Sequence, residues 1–121
     1  MSSASPSPSD WAEIEAIARD YGEGWYAGDA NRMERALHSE LVKRIPGDDG
    51  QMRAVTKARM VEMTAEGGGD VPDAHIEVTV DDVSGDIATA RVLSPEYLDY
   101  LHLVKTPDGW RIANVLFHVR G

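Results

Sequence analysis

At 121 residues, with 42 % hydrophobic and 27 % charged residues, the chain has the composition of one globular domain. Twelve Lys and Arg against 21 Asp and Glu give a formal net charge of −9, which repels nucleic acid and anionic membranes alike. There is no cysteine, no apolar run near the ~18 residues of a membrane span and no secretory leader pattern, so disulfides, thiol catalysis and Cys-ligated metals are excluded and a cytoplasmic setting is expected.

Residues 1–9 are rich in Ser and Pro and are expected to form a disordered tail, leaving residues 10–121 as a single domain. Asp10 is placed to cap a helix, with Glu13 in the capping-box position. Trp11, Ile14, Ala18, Tyr21 and Trp25 then recur at spacings of 3, 4, 3 and 4, with Ile17 beside them, which predicts one buried stripe on a long helix ending at Gly28. Gly22 and Gly24 weaken that helix by about 1 kcal/mol each relative to Ala unless they admit a strand to close approach.

Asp29 caps a second, shorter helix with Met33, Ala36 and Leu37 inward. Leu41–Ile45 reads as a strand, Pro46–Gly50 as a turn and Gln51–Val55 as the returning strand. Thr56 caps a third helix with Met60, Val61 and Met63 buried, closed by Gly67–Gly69. From residue 74 the apolar period changes to 2, and Ile76, Val78 and Val80 alternate with polar residues. Turns at Ser84–Asp86, Pro95 and Thr106–Gly109 divide the remainder into four strands of a meander. Three helices, with a hairpin among them, on one face of a bent antiparallel sheet make an α+β domain.

Glu23-Gly-Trp-Tyr-Ala-Gly-Asp29, Gly85-Asp-Ile-Ala88, Tyr97-Leu-Asp-Tyr-Leu-His-Leu103 and the closing Asp108-Gly-Trp-Arg-Ile-Ala-Asn114 carry a resemblance. The chain resembles the nuclear transport factor 2-like superfamily over residues 10–119, and within it the "putative lumazine-binding" subfamily of small bacterial proteins. His38-Ser39-Glu40 departs from the His-Pro-Asp or His-Pro-Glu of such relatives. The resemblance implies a cone-shaped fold shared with ketosteroid isomerase and SnoaL-type cyclases. It also implies a cavity between the first helix and the sheet, and a homodimer through the sheet's outer face.

Laid against ketosteroid isomerase, Tyr21 and Asp99 match that enzyme's oxyanion-hole tyrosine and aspartic acid. A phenol and a protonated carboxyl aimed at one carbonyl oxygen would stabilise a developing enolate, and burial would raise the Asp99 pKa as that role requires. The enzyme's general base precedes a proline; here Ile45 precedes Pro46, so the proton shuttle is missing. The plainer alternative is a buried tyrosine bonded to one acceptor.

His38, at the junction of the second helix and the following strand, is a candidate base or a junction hydrogen bond; the four histidines have no metal-binding spacing, and no metal or cofactor is expected. Trp25, Tyr26, Tyr97, Leu101, Leu103 and Asn114 are expected to wall the cavity, with Asn114 orienting a carbonyl. Lys43 shares a strand face with Ile45 and is expected at the mouth, where it would meet an anionic group. Met33, Met60 and Met63 are able to fill the cone instead. Three functions follow: a receptor for a hydrophobic or aromatic small molecule, an isomerase, dehydratase or cyclase working through Tyr21, Asp99 and His38, or a dimerisation module with a solid core.

Overall fold

Ser7 starts the first helix, α1 (Pro8–Ala27), in the computed structural model, which describes residues 7–120. Its hydroxyl accepts from the Asp10 amide while the Asp10 carboxylate accepts from the Ser7 amide, and Pro8 supplies a pre-set φ at the first turn. The capping box therefore sits three residues earlier than the expected Asp10–Glu13 pair, and Ser7, Pro8 and Ser9 belong to the helix start rather than to a tail. The expected tail over residues 1–6 lies outside the described residues.

Asp10 is then free to fasten the far end of the chain. Its Oδ1 accepts from Lys105 Nζ at 2.9 Å and Trp110 Nε1 at 3.0 Å, and Glu13 Oε2 accepts from the Trp110 amide at 2.7 Å. The Lys105 hydrogen bond, with those of Trp110 and Ser7, holds the Asp10 carboxyl far below the usual carboxylate range. A lowered folded-state pKa gives stability that is present above the unfolded value, ~3.9, and lost as the pH falls below it. Asp10→Asn is expected to flatten acid unfolding of the protein below about pH 4, read by far-UV circular dichroism; an unchanged acid midpoint would remove Asp10 from that role.

The buried stripe of α1 comprises Ile14, Ile17, Ala18 and Tyr21, and Trp11, at its edge, is 39 % exposed rather than buried. Gly22 shows why a glycine stands there. A Cβ would lie 2.9 Å from Ile76 Cγ2 and 3.0 Å from Val92 Cγ1, so its absence lets the sheet approach the helix. Gly28, at φ 64°, ends α1, and Asp29 caps α2 (Ala30–Ala36) as expected. Asp20 of α1 binds Arg32 and Arg35 of α2 at 2.9 Å each, which ties the two helices together.

The strands are β1 (Leu37–Pro46), β2 (Met52–Thr56), β3 (Glu77–Ser84), β4 (Ile87–Leu93), β5 (Tyr97–Thr106) and β6 (Gly109–Val119), with α3 (Lys57–Ala65) between β2 and β3. They form one open sheet in the order β2-β1-β6-β5-β4-β3. The meander β3–β6 is antiparallel as expected, but β1 runs parallel to β6, with Lys43 beside Val115, so the sheet is mixed. The connection between these two strands, residues 47–108, carries β2, α3 and the strands β3–β5, and so supplies the long crossover a parallel pair needs.

Thr56 caps α3, whose buried residues are Met60 and Thr64, while Val61 and Met63 are half-buried. The core lies between α1 and the inner face of the sheet, where Ala88, Ala90, Val92, Leu101, Leu103, Trp110, Ile112 and Val115 meet the helical stripe and Met33. Among the described residues no helix is long and apolar enough to cross a membrane.

Candidate functional site

Tyr21 projects from α1 towards the sheet, and Asp99 and Lys43 project from it. Asp99 alternates with the buried Leu101 and Leu103 on β5, and Lys43 alternates with the buried Leu41 on β1. Strand periodicity therefore aims both of these side chains into the space that Tyr21 faces from α1. Tyr21 Oη donates to Asp99 Oδ2 at 2.5 Å and accepts from Lys43 Nζ at 2.6 Å, while Nζ and Oδ2 stand 3.8 Å apart. One hydroxyl thus bridges a buried cation and a buried carboxylate.

Burial drives the Asp99 pKa up, against the pull of Lys43, and drives the Lys43 pKa down, against the pull of Asp99. It also pushes the Tyr21 phenol well above its ordinary value, helped by the neighbouring Asp99 charge, so Tyr21 keeps its proton. The Lys43 ammonium lies over the Phe117 ring, 4.3 Å from its centroid, a cation–π contact that compensates part of its lost hydration.

This trio forms one wall of a pocket of about 250 Å³. Buried Met60 and Val92 line it beside the trio, and half-buried Trp25, Tyr26, Val55, Met63, Tyr97 and Phe117 surround it, with Gly22 and Ser94 completing the lining. Tyr97 and Phe117 meet edge to face at 5.7 Å. Tyr26 Oη donates to Ser94 Oγ and accepts from the Glu96 amide, which ties α1 to the turn before β5. Trp25 carries a buried indole N–H with no partner among the described residues. The methionines do not close the space: Met33 packs in the core, and Met60 and Met63 line the pocket.

The structure brings Tyr21, Asp99, Trp25, Tyr26, Lys43 and Tyr97 together and leaves the other candidates outside. Lys43 is not at the mouth. It is 9 % exposed and turned onto the Tyr21 hydroxyl, because β1 lies inside the sheet, between β2 and β6. Leu101 and Leu103 are each 1 % exposed and pack in the core away from the pocket, nearer the end of the cone that Trp110 fills.

Asn114 lies on the opposite face, in a hollow of about 380 Å³ shared with His102 and Thr89. A bulge is responsible. His102 pairs with Asn114 but Leu103 pairs with Ile112, so Ala113 is an extra residue and the inward parity passes from Ile112 to Val115. His38 does not line the pocket; its Nδ1 accepts the Glu40 amide at 2.9 Å, so the junction hydrogen bond is what forms.

Phe117, Val55 and Val92 were absent from the expected wall. Phe117 follows Val115 by two on the shifted parity, a signal that only the bulge makes readable. Among the described residues no group of three or more His, Asp or Glu side chains is placed to hold a metal ion.

A long helix and two shorter ones on a bent sheet, with a pocket between α1 and the sheet, define a nuclear transport factor 2-like domain. Solved structures bear out the class. An NTF2-like protein of unknown function from Silicibacter pomeroyi is 18 % identical, with a TM-score of 0.82 over 96 % of this chain and 100 % of that one. One from Shewanella baltica is 17 % identical, with a TM-score of 0.85 over 98 % and 99 %. A ketosteroid isomerase-like protein from Erwinia carotovora atroseptica is 20 % identical, with a TM-score of 0.70 over 95 % and 99 %.

At these identities the likeness is one of fold. No curated protein gives a significant match. Within the class, this chain belongs to the family described as "Putative lumazine-binding", whose profile matches residues 9–118.

Proposed function

We propose that this protein binds a small, flat, largely apolar molecule that carries a hydrogen-bond acceptor at one end. The observation that carries the reading is the pocket of about 250 Å³, apolar and aromatic on most sides and ending on Lys43, Tyr21 and Asp99. That volume is somewhat below the ~300 Å³ at which drug-sized sites begin, which suits a molecule of fused-bicycle size or less. Among the described residues, Lys43 Nζ makes one hydrogen bond to a side chain and the Trp25 indole N–H makes none, so both have donors to offer. The family's description supports a fused heteroaromatic ring such as lumazine among the candidates.

The test titrates the protein with lumazine and with 2-naphthol, following tryptophan fluorescence and calorimetry. Saturable one-to-one binding of at least one probe is expected, weakened roughly tenfold or more by Lys43→Met, as the loss of about 1.4 kcal/mol implies. Absence of saturable binding by both probes overturns the reading. The enzymatic alternative, in which Tyr21 and a protonated Asp99 both point at one substrate oxygen, has less support, because the Tyr21 hydroxyl is already engaged by both Asp99 and Lys43.

The outer face of the sheet supports a homodimer. Ile87, Tyr100 and Leu116 are 59 %, 52 % and 47 % exposed there, and Tyr100 and Leu116 are paired across β5 and β6. Sedimentation is expected to give a dimer that Tyr100→Glu shifts towards monomer. A parent protein that stays monomeric at all concentrations tested would rule the dimer out.

A further inference from the structure

We propose that Lys43 is a carbonyl-capturing amine, forming an imine with a small aromatic aldehyde bound in the pocket while the Tyr21 hydroxyl relays a proton between Lys43 and Asp99. The inference rests on the pocket reading above and adds a covalent chemistry to it.

The chain has three lysines, and only one is built for this. Lys57 Nζ donates to the Leu37 carbonyl at 2.8 Å and pairs with Glu34, and Lys105 pairs with Asp10 at 2.9 Å; both lie outside the pocket. Lys43 lines the pocket, and its carboxylate partner is held 3.8 Å off with the tyrosine hydroxyl between them.

The bridge has two proton arrangements. In one, the Lys43 ammonium donates to Tyr21 Oη and Tyr21 donates to the Asp99 carboxylate, across distances of 2.6 and 2.5 Å. In the other, both hydrogen bonds are reversed: a protonated Asp99 donates to Tyr21, and Tyr21 donates to a neutral Lys43 amine. Moving from the first to the second takes no proton from solvent and leaves no buried charge. Burial favours it from both ends, since it lowers the Lys43 pKa and raises that of Asp99.

The neutral nitrogen is then a nucleophile facing an apolar, aromatic space. Its lone pair forms a C–N bond to the aldehyde carbon as the C=O π pair moves to oxygen, and that oxygen takes the proton carried through Tyr21 from Asp99. The nitrogen, now cationic with two hydrogens, returns one through Tyr21 to Asp99, which gives the neutral carbinolamine. Asp99 sends that proton back through the relay to the hydroxyl, which leaves as water as the nitrogen lone pair forms the C=N bond, and the resulting iminium gives its last N–H proton to Asp99. Aldehyde plus amine becomes imine plus water, with no oxidant or reductant. A protonated imine finds Asp99 as its counter-ion, 3.8 Å from the nitrogen it contains.

The experiment incubates the full chain with 2-naphthaldehyde and cyanoborohydride, which reduces any imine to a stable amine, and maps adducts by peptide mass spectrometry. In parallel, the corresponding alcohol, 2-naphthalenemethanol, is titrated by tryptophan fluorescence. Adduct at Lys43 is expected to form faster than at Lys57 or Lys105 by roughly tenfold or more, which corresponds to about 1.4 kcal/mol of barrier. Excess alcohol is expected to suppress it, and Tyr21→Phe to slow it at saturating aldehyde. Lys43→Arg, which keeps the charge, is expected to abolish it. If the alcohol binds but the three lysines react alike, or Lys43 does not react, the imine proposal is overturned and the pocket reading stands. If neither the alcohol nor the aldehyde binds, the imine proposal is overturned too, and the pocket reading falls with it when lumazine and 2-naphthol also fail to bind.

Discussion

Replacing Asp99 by leucine is expected to lower the unfolding free energy by about 3–5 kcal/mol, the range for breaking a buried ion pair by removing one partner. Lys43 would then stay under α1 with its ammonium satisfied only by the Tyr21 hydroxyl and the aromatic rings. Its side chain is 11 % exposed, so water does not make good the loss. The converse variant, Lys43→Met, strands the Asp99 carboxylate, which is 5 % exposed and keeps the Tyr21 bond.

The double variant Lys43→Met/Asp99→Leu removes both charges and is expected to be far less destabilised than the sum of the two singles. Urea unfolding of the four proteins gives the coupling directly. If the double variant costs the full sum, the two charges are not a pair.

The pH dependence of Lys43→Met has a definite sign. Without the cation the folded-state pKa of Asp99, already raised by burial, rises further. The folded state then binds more protons than the unfolded one between ~3.9 and that raised value. Stability is therefore fully present below the unfolded pKa and is lost as the pH rises through the folded one, so the variant recovers part of its deficit on going from pH 7 towards 4.

Trp110→Ala is expected to cost about 3–5 kcal/mol and to lower Tm by more than ~10 °C. Trp110 is 0 % exposed, and its indole occupies the end of the cone opposite the pocket. Its two nitrogens fasten β6 to the first turns of α1 through Asp10 and Glu13. Truncation leaves a cavity and releases the side chain that closes the molecule's two ends together.

Trp110→Phe keeps most of the volume and is expected to lose only about 1–2 kcal/mol, chiefly the Nε1 hydrogen bond to a charged acceptor. The pocket does not include Trp110, so whatever fraction stays folded should bind ligand as the parent does. Calorimetric scanning settles the magnitude. A Tm loss no greater than that of Trp25→Ala, at the half-buried pocket wall, would mean that the cone's closed end is not the keystone described.

Some of the site was legible in one dimension. The spacing of Ile14, Ala18 and Tyr21 fixes which way the tyrosine faces, and alternation with Leu101 and Leu103 fixes the same for Asp99. Those two periodicities, joined by the resemblance, were enough to place phenol and carboxyl together. The inward direction of Lys43 was legible from Leu41, but its partner was not. Which residues lie across a sheet from β1 depends on β1 pairing with β6 in parallel, and nothing in the apolar pattern of either strand encodes that pairing.

Asn114 shows the other limit. One extra residue at Ala113 reverses the facing of everything after it, and alternating apolar residues carry no mark of a bulge until the neighbouring strand is in place.

The sequence by itself determined the number of elements, their caps at Asp29 and Thr56, the buried stripe of α1 from Ile14 to Tyr21, and the meander of the last four strands. These rest on near-neighbour effects, since capping, turn chemistry and side-chain period act over a few residues. Only the tertiary structure decided that Lys43, Tyr21 and Asp99 form one hydrogen-bonded cluster, that Phe117 replaces Asn114 at the pocket, and that His38 stands apart from it. Those outcomes depend on strand order, parallel pairing and a single bulge, which are set by contacts between residues tens of positions apart and by the energy of the whole core.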